Sequence, residues 1–329
     1  MVDSSFNYDY TDGEAFEKRM ILMINITVSN VCDGELYMNN SQIRYEIFLK
    51  VAELRNITMA AESLSYTQSG VSHAIAAMER EAGCTLFHRS KFGVTLTEQG
   101  EHLLPLVREL INKQHALDQA MDALSNRVAG TLRVGSFTSF TAIWIPKLIR
   151  EFSLKFPDVN IELTNGTYRD IEERIQDGRL DCGFLSAIEN DPLEFTSLFD
   201  DPMLVITAPD HPISKKTALP LRELKKYPLI SQFQGSDHDV QQIFKKAKIH
   251  PQTKYILDDD ISVMGMVSQG EGVALMPELM FRTASFDLAG ISLDPPQHRT
   301  VGLATLSVKE KPLLIRTFVA FCKSCNWVL

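Results

Sequence analysis

The sequence predicts a multidomain chain: an all-α winged helix-turn-helix segment with a long linker helix, followed by an α/β segment built as two lobes. Three observations carry this expectation. Apolar residues recur at helical spacing from Ser41 to about Ser125, two of the predicted helices are joined by a very short turn, and beyond residue 130 strand-like and helix-like runs alternate to the C-terminus.

The length of 329 residues is too great for one hydrophobic core and suits two or three compact units. With 44% hydrophobic and 23% charged residues the composition is that of a globular protein. No apolar run approaches the ~20 residues of a membrane span. The best candidate, Met20 to Val28, is broken by Asn25 and Thr27 and follows Asp3, Asp9, Asp12, Glu14 and Glu17, the wrong charge for a leader peptide. The expected location is the cytoplasm, with no membrane partner. Five scattered cysteines do not make a disulfide framework. Cys322 and Cys325 form a C-x-x-C, but no second Cys/His pair stands nearby at zinc-like spacing. They are read as thiols on a terminal helix and Cys182 as a core residue. No metal and no cofactor are expected.

The net charge of −9 does not by itself suggest a nucleic-acid partner. Its distribution is uneven. Residues 1–40 carry two basic and seven acidic groups, whereas residues 41–100 carry six of each. A DNA-binding argument therefore rests on motif and geometry.

Residues 1–37 are polar and aperiodic and are expected to be disordered or an extension. The winged helix-turn-helix is placed at 38–97. Its first helix starts at Ser41 and repeats Ile43, Ile47, Phe48, Val51 and Leu54 at helical spacing. Thr58 is expected to cap a second, short helix with Ala60, Ala61 and Leu64 on its packing face. After the turn at Ser65 and Tyr66, Thr67 caps a third helix that ends near Gly83, where a left-handed residue is wanted. On this third helix Val71, Ile75 and Met78 share the inner face, and Ser69, Ser72, His73 and Ala76 the outer one. Short hydrogen-bonding side chains on an outer face suit close approach to base edges in a major groove about 12 Å wide. Thr85 to Leu96 then reads as two apolar runs flanking a basic turn, a small wing that sets Arg89 and Lys91 toward phosphates.

A long linker helix is expected over 98–126. Leu103, Val107, Leu110, Gln114, Leu117, Met121 and Leu124 follow one another at 4-3-4-3-4-3 spacing, a heptad seam with one polar member that calls for a partner helix. Pro105 removes one amide from its first turns. After a polar hinge at Asn126 to Gly130, the α/β segment runs over 131–329, with lobe I about 131–205 and 300–329 and lobe II about 206–299. Ser139–Phe156 is read as one helix, and Phe195–Phe199 and Met203–Ala208 as two strands that cross between the lobes.

Residues 43–100 resemble the DNA-binding domain of LysR-type transcriptional regulators. The resemblance lies in Phe48, Val51, Ala60-Ala61, Leu64, Thr67-Gln68, Val71-Ser72, Ile75, Glu79, Gly83, Leu86-Phe87, Arg89, Leu96-Thr97 and Gly100. The remainder is similar to the family's effector domain, which is like periplasmic binding proteins. Ile175, Gly178, Leu180-Asp181 and Gly183 match in the first lobe, and Gly270, Gly272-Val273 and Pro277 in the second. Ser69-Gly70 departs from the family's frequent Pro-Ala, and Met78 and Ala82 replace leucines.

The resemblance implies a sequence-specific DNA-binding transcriptional regulator, not an enzyme, that acts as a homodimer or homotetramer on operator or promoter DNA, with RNA polymerase a further candidate partner. Thr67, Gln68, Ser69, Ser72 and His73 are the candidate recognition residues, and Arg89, Lys91 and Thr95 the wing's backbone contacts. For a small-molecule effector between the lobes, the strand ending at Gly135 delivers Ser136, Thr138 and Ser139 to a helix N-terminus, which favours an anion. Ser186, Ser231, Gln232, Asp260 and Met276 complete the expected lining, and no arginine stands among these positions.

Three other readings remain open: an enzyme on the two-lobed scaffold, a solute-binding transport component, and a DNA-binding protein with a silent second domain. The sequence contains no G-x-S-x-G, H-E-x-x-H or Walker A pattern.

Overall fold

The computed structural model describes residues 41–91, 93–124, 127–187, 193–232, 238–307 and 311–328, so the 1–37 segment lies outside them. The chain divides into two compact units, with the boundary after Ile111.

In the first unit, α1 (Ser41–Leu54), α2 (Ile57–Ser63) and α3 (Gln68–Ala82) pack around Ile47, Phe48, Val51, Ala60, Ala61, Val71, Ala74 and Ile75. Small residues at 60, 61 and 74 let the helices approach closely. The cap of α2 is Asn56, not Thr58: Asn56 is extended (φ −151°, ψ 120°), and its side chain accepts the Met59 amide at 3.1 Å. Ser65, at φ 58°, turns the chain into α3, where Thr67 accepts the Gly70 amide at 3.1 Å and left-handed Gly83 closes the C-terminus.

The wing is the antiparallel pair β1 (Phe87–Ser90) and β2 (Gly93–Leu96), with His88 opposite Thr95 and Arg89 opposite Val94. Two contacts fix it to the helices. Glu79 Oε1 accepts the amides of Leu86 (2.8 Å) and Phe87 (3.2 Å), and the Val94 amide donates to Arg55 O at 2.9 Å. Gly93, at φ 126°, sits against Arg55 O so closely that a Cβ would come within 2.8 Å of it.

Helix α4 (Glu98–Leu124) contains Pro105 and begins after Thr97, whose hydroxyl accepts the Gly100 amide at 3.0 Å and donates to Thr85 O at 2.8 Å. Its faces differ from the expected seam. Val107 (4% exposed) is part of the helix-turn-helix core and Leu103 packs against it, whereas Leu106, Leu110, Leu117, Met121 and Leu124 are all more than half exposed. Leu103 and Val107 therefore pack the start of α4 on the helix-turn-helix core, and the outward stripe runs from Leu106.

The second unit holds an eight-stranded mixed sheet whose strands, in sheet order, are Val159–Asn165, Gly130–Ser136, Cys182–Ser186, His298–Thr305, Glu194–Thr207, Ala289–Asp294 and Ala218–Pro220, with Ala274–Pro277 also pairing with Glu194–Thr207. Lobe I contains β3 (Gly130–Ser136), α5 (Thr138–Ile143), α6 (Ile145–Lys155), β4 (Val159–Asn165), α7 (Tyr168–Gln176), β5 (Cys182–Ser186) and α11 (Leu313–Ser324). The expected Ser139–Phe156 helix is broken at Trp144, and Pro146 opens the second piece, because proline is tolerated in a first turn and not in a helix interior. The two expected crossover strands are one 14-residue strand, β6 (Glu194–Thr207). Phe140, Phe152, Phe184 and Phe318 fill the core of lobe I, and Cys182 and Cys322 are buried in it.

Lobe II contains β7 (Ala218–Pro220), β8 (Leu229–Gln232), α8 (His238–Ala247), β9 (Thr253–Leu257), α9 (Asp260–Ser268), β10 (Ala274–Pro277), α10 (Glu278–Phe281) and β11 (Ala289–Asp294), and β12 (His298–Thr305) returns beside β6. No described helix is long and apolar enough to cross a membrane, and no cluster of described side chains suits a metal ion.

Candidate nucleic-acid interface and effector cavity

The division of α3 follows the sequence. Val71, Ala74, Ile75 and Met78 are buried, Gln68, Ser69 and His73 are exposed, and Ser72 and Ala76 are half-buried on the same outward side. The outward hydroxyls and amide contact one another: Thr67 Oγ1 lies 3.2 Å from Ser69 Oγ, and Gln68 Nε2 donates weakly to Ser72 Oγ at 3.4 Å. These exposed groups can exchange their weak local bonds for base or phosphate oxygens at little desolvation cost. Arg89, Lys91 and Thr95 are likewise exposed on the wing.

The second unit contains a cavity of about 430 Å³. It is formed where β3, β4, β8 and β10 end, the position at which open α/β sheets bind ligands. Of the expected residues, Thr138, Ser139, Ser231, Gln232, Asp260 and Met276 line it. Ser136 and Ser186 do not. Ser136 is fully buried beneath the wall and accepts from Thr141 Oγ1 at 2.8 Å, while Ser186 donates to Asp239 Oδ1 at 2.6 Å. Burial raises the Asp260 carboxyl above its ordinary range, against a hydrogen bond from Gln232 and the charge of Arg299.

The arginine that was lacking among the expected residues is Arg299 on β12. It is 7% exposed and lines the cavity. Its Nε donates to Asp201 Oδ2 (2.9 Å), its Nη1 to the Tyr168 hydroxyl (2.7 Å) and its Nη2 to Ser139 Oγ (3.0 Å), and its guanidinium lies 4.8 Å from the Phe137 ring centre. Burial alone would weaken its hold on the proton, but Tyr168, Asp201 and Asp239 more than offset that, so it stays charged. Burial raises Asp201, opposed by Arg299 and by the Leu279 amide that its Oδ1 accepts at 3.0 Å. Burial also pushes the Tyr168 phenol up, so it remains a neutral donor, to Asp239 Oδ2 at 3.0 Å. No motif or spacing in the sequence singles out Tyr168, Asp201, Asp239 or Arg299. The hydroxyls of Thr138 and Ser139 stand at a strand end that lines the cavity, but nothing local marks residues that meet only through the sheet.

Asp170 and Asp259, also in the lining, are occupied by their own helices: Asp170 closes a capping box with Thr167, and Asp259 accepts the Ser262 amide at 2.8 Å. Both carboxyls are lowered by these hydrogen bonds, so the acidic wall is largely taken up by backbone and hydroxyl donors.

A winged helix-turn-helix with a long following helix, joined to a two-lobed α/β unit around a cavity lined by both polar and apolar side chains, defines a DNA-binding regulator that takes a ligand. Residues 44–101 match the bacterial regulatory helix-turn-helix protein of the lysR family, and residues 125–325 match the LysR substrate binding domain. The Bacillus subtilis (strain 168) HTH-type transcriptional regulator YvbU, itself described as uncharacterized, is 31% identical over 284 residues, covering 84% of this chain and 96% of YvbU. The structure of full-length CbnR complexed with its target DNA matches with a TM-score of 0.62 at 19% identity, over 86% of this chain and 99% of CbnR. The effector binding domain of QuiR in complex with shikimate matches with a TM-score of 0.53 at 21% identity, over 59% of this chain and 95% of that domain. The chain belongs to the LysR family: it is a DNA-binding transcriptional regulator with a C-terminal effector-binding domain.

Proposed function

We propose that the chain reads an operator through Thr67, Gln68, Ser69, Ser72 and His73 on the outer face of α3, with Arg89, Lys91 and Thr95 of the wing on the phosphates. The exposed, short, hydrogen-bonding side of α3 over a fully apolar inner side carries this reading. The functional limits are residues 38–97 for DNA binding, 98–126 for the linker and 131–329 for effector binding. The outward stripe of Leu110, Leu117, Met121 and Leu124, with Gln114 between, assembles dimers or tetramers. The protein works in the cytoplasm and catalyses no reaction.

The effector is a small monoanion bearing hydroxyls. Its charged group is drawn to Arg299, and its hydroxyls meet Thr138, Ser139, Ser231, Gln232 and Asp260. QuiR's shikimate, a hydroxylated carboxylate, is of this kind. The positive charge of Arg299 is already matched by Asp201 at 2.7 Å, which favours one negative charge over two. Occupancy then shifts the spacing of the lobes.

The test is fluorescence anisotropy of the purified protein on the intergenic DNA beside its own gene, against unrelated DNA at fixed salt. The Ser72→Arg/His73→Ala variant should lose the preference for the intergenic fragment. Unchanged preference in that folded variant places recognition elsewhere.

A further inference from the structure

Asp239 belongs to lobe II, in the first turn of α8, yet its carboxylate is held by lobe I and the returning strand β12. Ser186 Oγ on β5 donates to Oδ1 at 2.6 Å, the Tyr168 hydroxyl on α7 donates to Oδ2 at 3.0 Å, and Arg299 Nη1 lies 3.6 Å from Oδ2. Ser186 is 2% exposed and Arg299 7% exposed. A buried pocket with two hydroxyl donors and a guanidinium is an anion-binding site by its chemistry. In this structure a side chain of the opposite lobe takes it.

We propose that Asp239 is an internal carboxylate clasp: it occupies the subsite that an effector's anionic group takes, and the effector binds by displacing it. The exchange replaces one carboxylate by another on Ser186, Tyr168 and Arg299, so the donors stay satisfied while the link between the lobes is released. A neutral effector competes poorly with the Asp239 carboxylate for these donors and leaves the clasp shut. The proposal rests on the reading of the cavity as the effector site.

The experiment uses the full chain carrying Asp239→Ala, which empties the subsite, with acetate as the probe and chloride at the same ionic strength as the reference. Thermal unfolding and DNA anisotropy are both read. Acetate should raise the Tm of Asp239→Ala by about 3–5 °C at about ten times its dissociation constant. It should leave wild type and Asp239→Asn unmoved, because in both the side chain at 239 still fills the space. Asp239→Ser, smaller than aspartate and itself a partial acceptor, carries the same acetate arm should the alanine variant not fold. No acetate-specific rise in either small variant overturns the clasp. A rise with no change in DNA binding keeps the anion subsite and overturns the reading of the cavity as the effector site. A rise together with altered DNA binding supports both.

Discussion

Replacing Arg299 with methionine keeps much of the side chain's volume and removes its charge. Asp201, 0% exposed, is then left with only the Leu279 amide on Oδ1, and Oδ2 faces an apolar neighbour. Breaking a buried ion pair from one side costs about 3–5 kcal/mol. In a unit of this size that lowers the midpoint of unfolding by on the order of 10 °C. The loss depends on pH. Burial already holds the Asp201 carboxyl above its ordinary value against the opposing charge of Arg299, so removing that charge raises it further. A carboxyl whose folded pKa lies above its unfolded value contributes stability that is present below the unfolded pKa, near 3.9, and lost as pH rises through the folded one. The deficit of Arg299→Met relative to wild type should therefore be largest near neutral pH and shrink on acidification. Adding Asp201→Asn keeps the acceptor for the Leu279 amide and removes the charge, so the double variant should recover part of the lost stability and lose the pH dependence. Calorimetry of the three proteins from about pH 5 to 8 reads both effects. A deficit that does not change with pH, or a double variant no more stable than the single one, refutes the account.

Two further outcomes follow from the N-terminal unit and α4. Glu79→Ala leaves the partly buried amides of Leu86 and Phe87 without their acceptor and should cost about 1–3 kcal/mol in denaturant unfolding, whereas Glu79→Gln, which keeps an oxygen, should cost less; equal losses would show that the carboxylate's contacts are not what holds the wing. Leu110→Glu/Leu117→Glu should shift sedimentation toward the monomer with the fold intact, while Val107→Ala should lower stability by about 2 kcal/mol without changing the oligomer; dissociation by Val107→Ala at unchanged stability would mean that the two faces of α4 are assigned the wrong way round.

The parts legible in the sequence are those whose cause is local. The sides of α3, the Thr67 cap and Gly83 at the helix end depend on neighbours within a turn or two, and spacing alone places them. Where two local solutions compete, spacing decides less. Asn56 and Thr58 are both cap residues, and the backbone selects Asn56 because only residue 56 is extended. The 4-3 spacing on α4 runs through buried and exposed apolar residues alike, and period cannot say which side a residue faces when two sides need apolar groups. Leu103 and Val107 continue the 4-3 spacing of the outward stripe in sequence, but the helix-turn-helix core lies on their side and takes them. Trp144 shows the same limit: the apolar repeat runs on through residues 139–156, and Pro146, a local signal in plain view, marks the break that the repeat conceals.

The cavity shows a different limit. Thr138 and Ser139 are legible because they stand at a strand end beside a helix, a relation fixed within a few residues. Arg299 reaches Asp201 across 98 residues, Tyr168 across 131 and Ser139 across 160. No periodicity or capping pattern carries information over such separations; the sheet order does, since β12 returns between β5 and β6 and brings a charge from the end of the chain to the first lobe's strand ends. In an α/β fold the carboxyl ends of the strands supply hydroxyls and helix N-termini, which sequence can mark. The buried arginine of the cavity comes from the returning strand β12, where it reads as an ordinary strand residue until its partners are known. That Arg299 is buried beside Asp201, and Asp239 beside Ser186 and Tyr168, is thus a property of the topology. Substitutions at these positions should alter the site far more than their unremarkable sequence surroundings suggest.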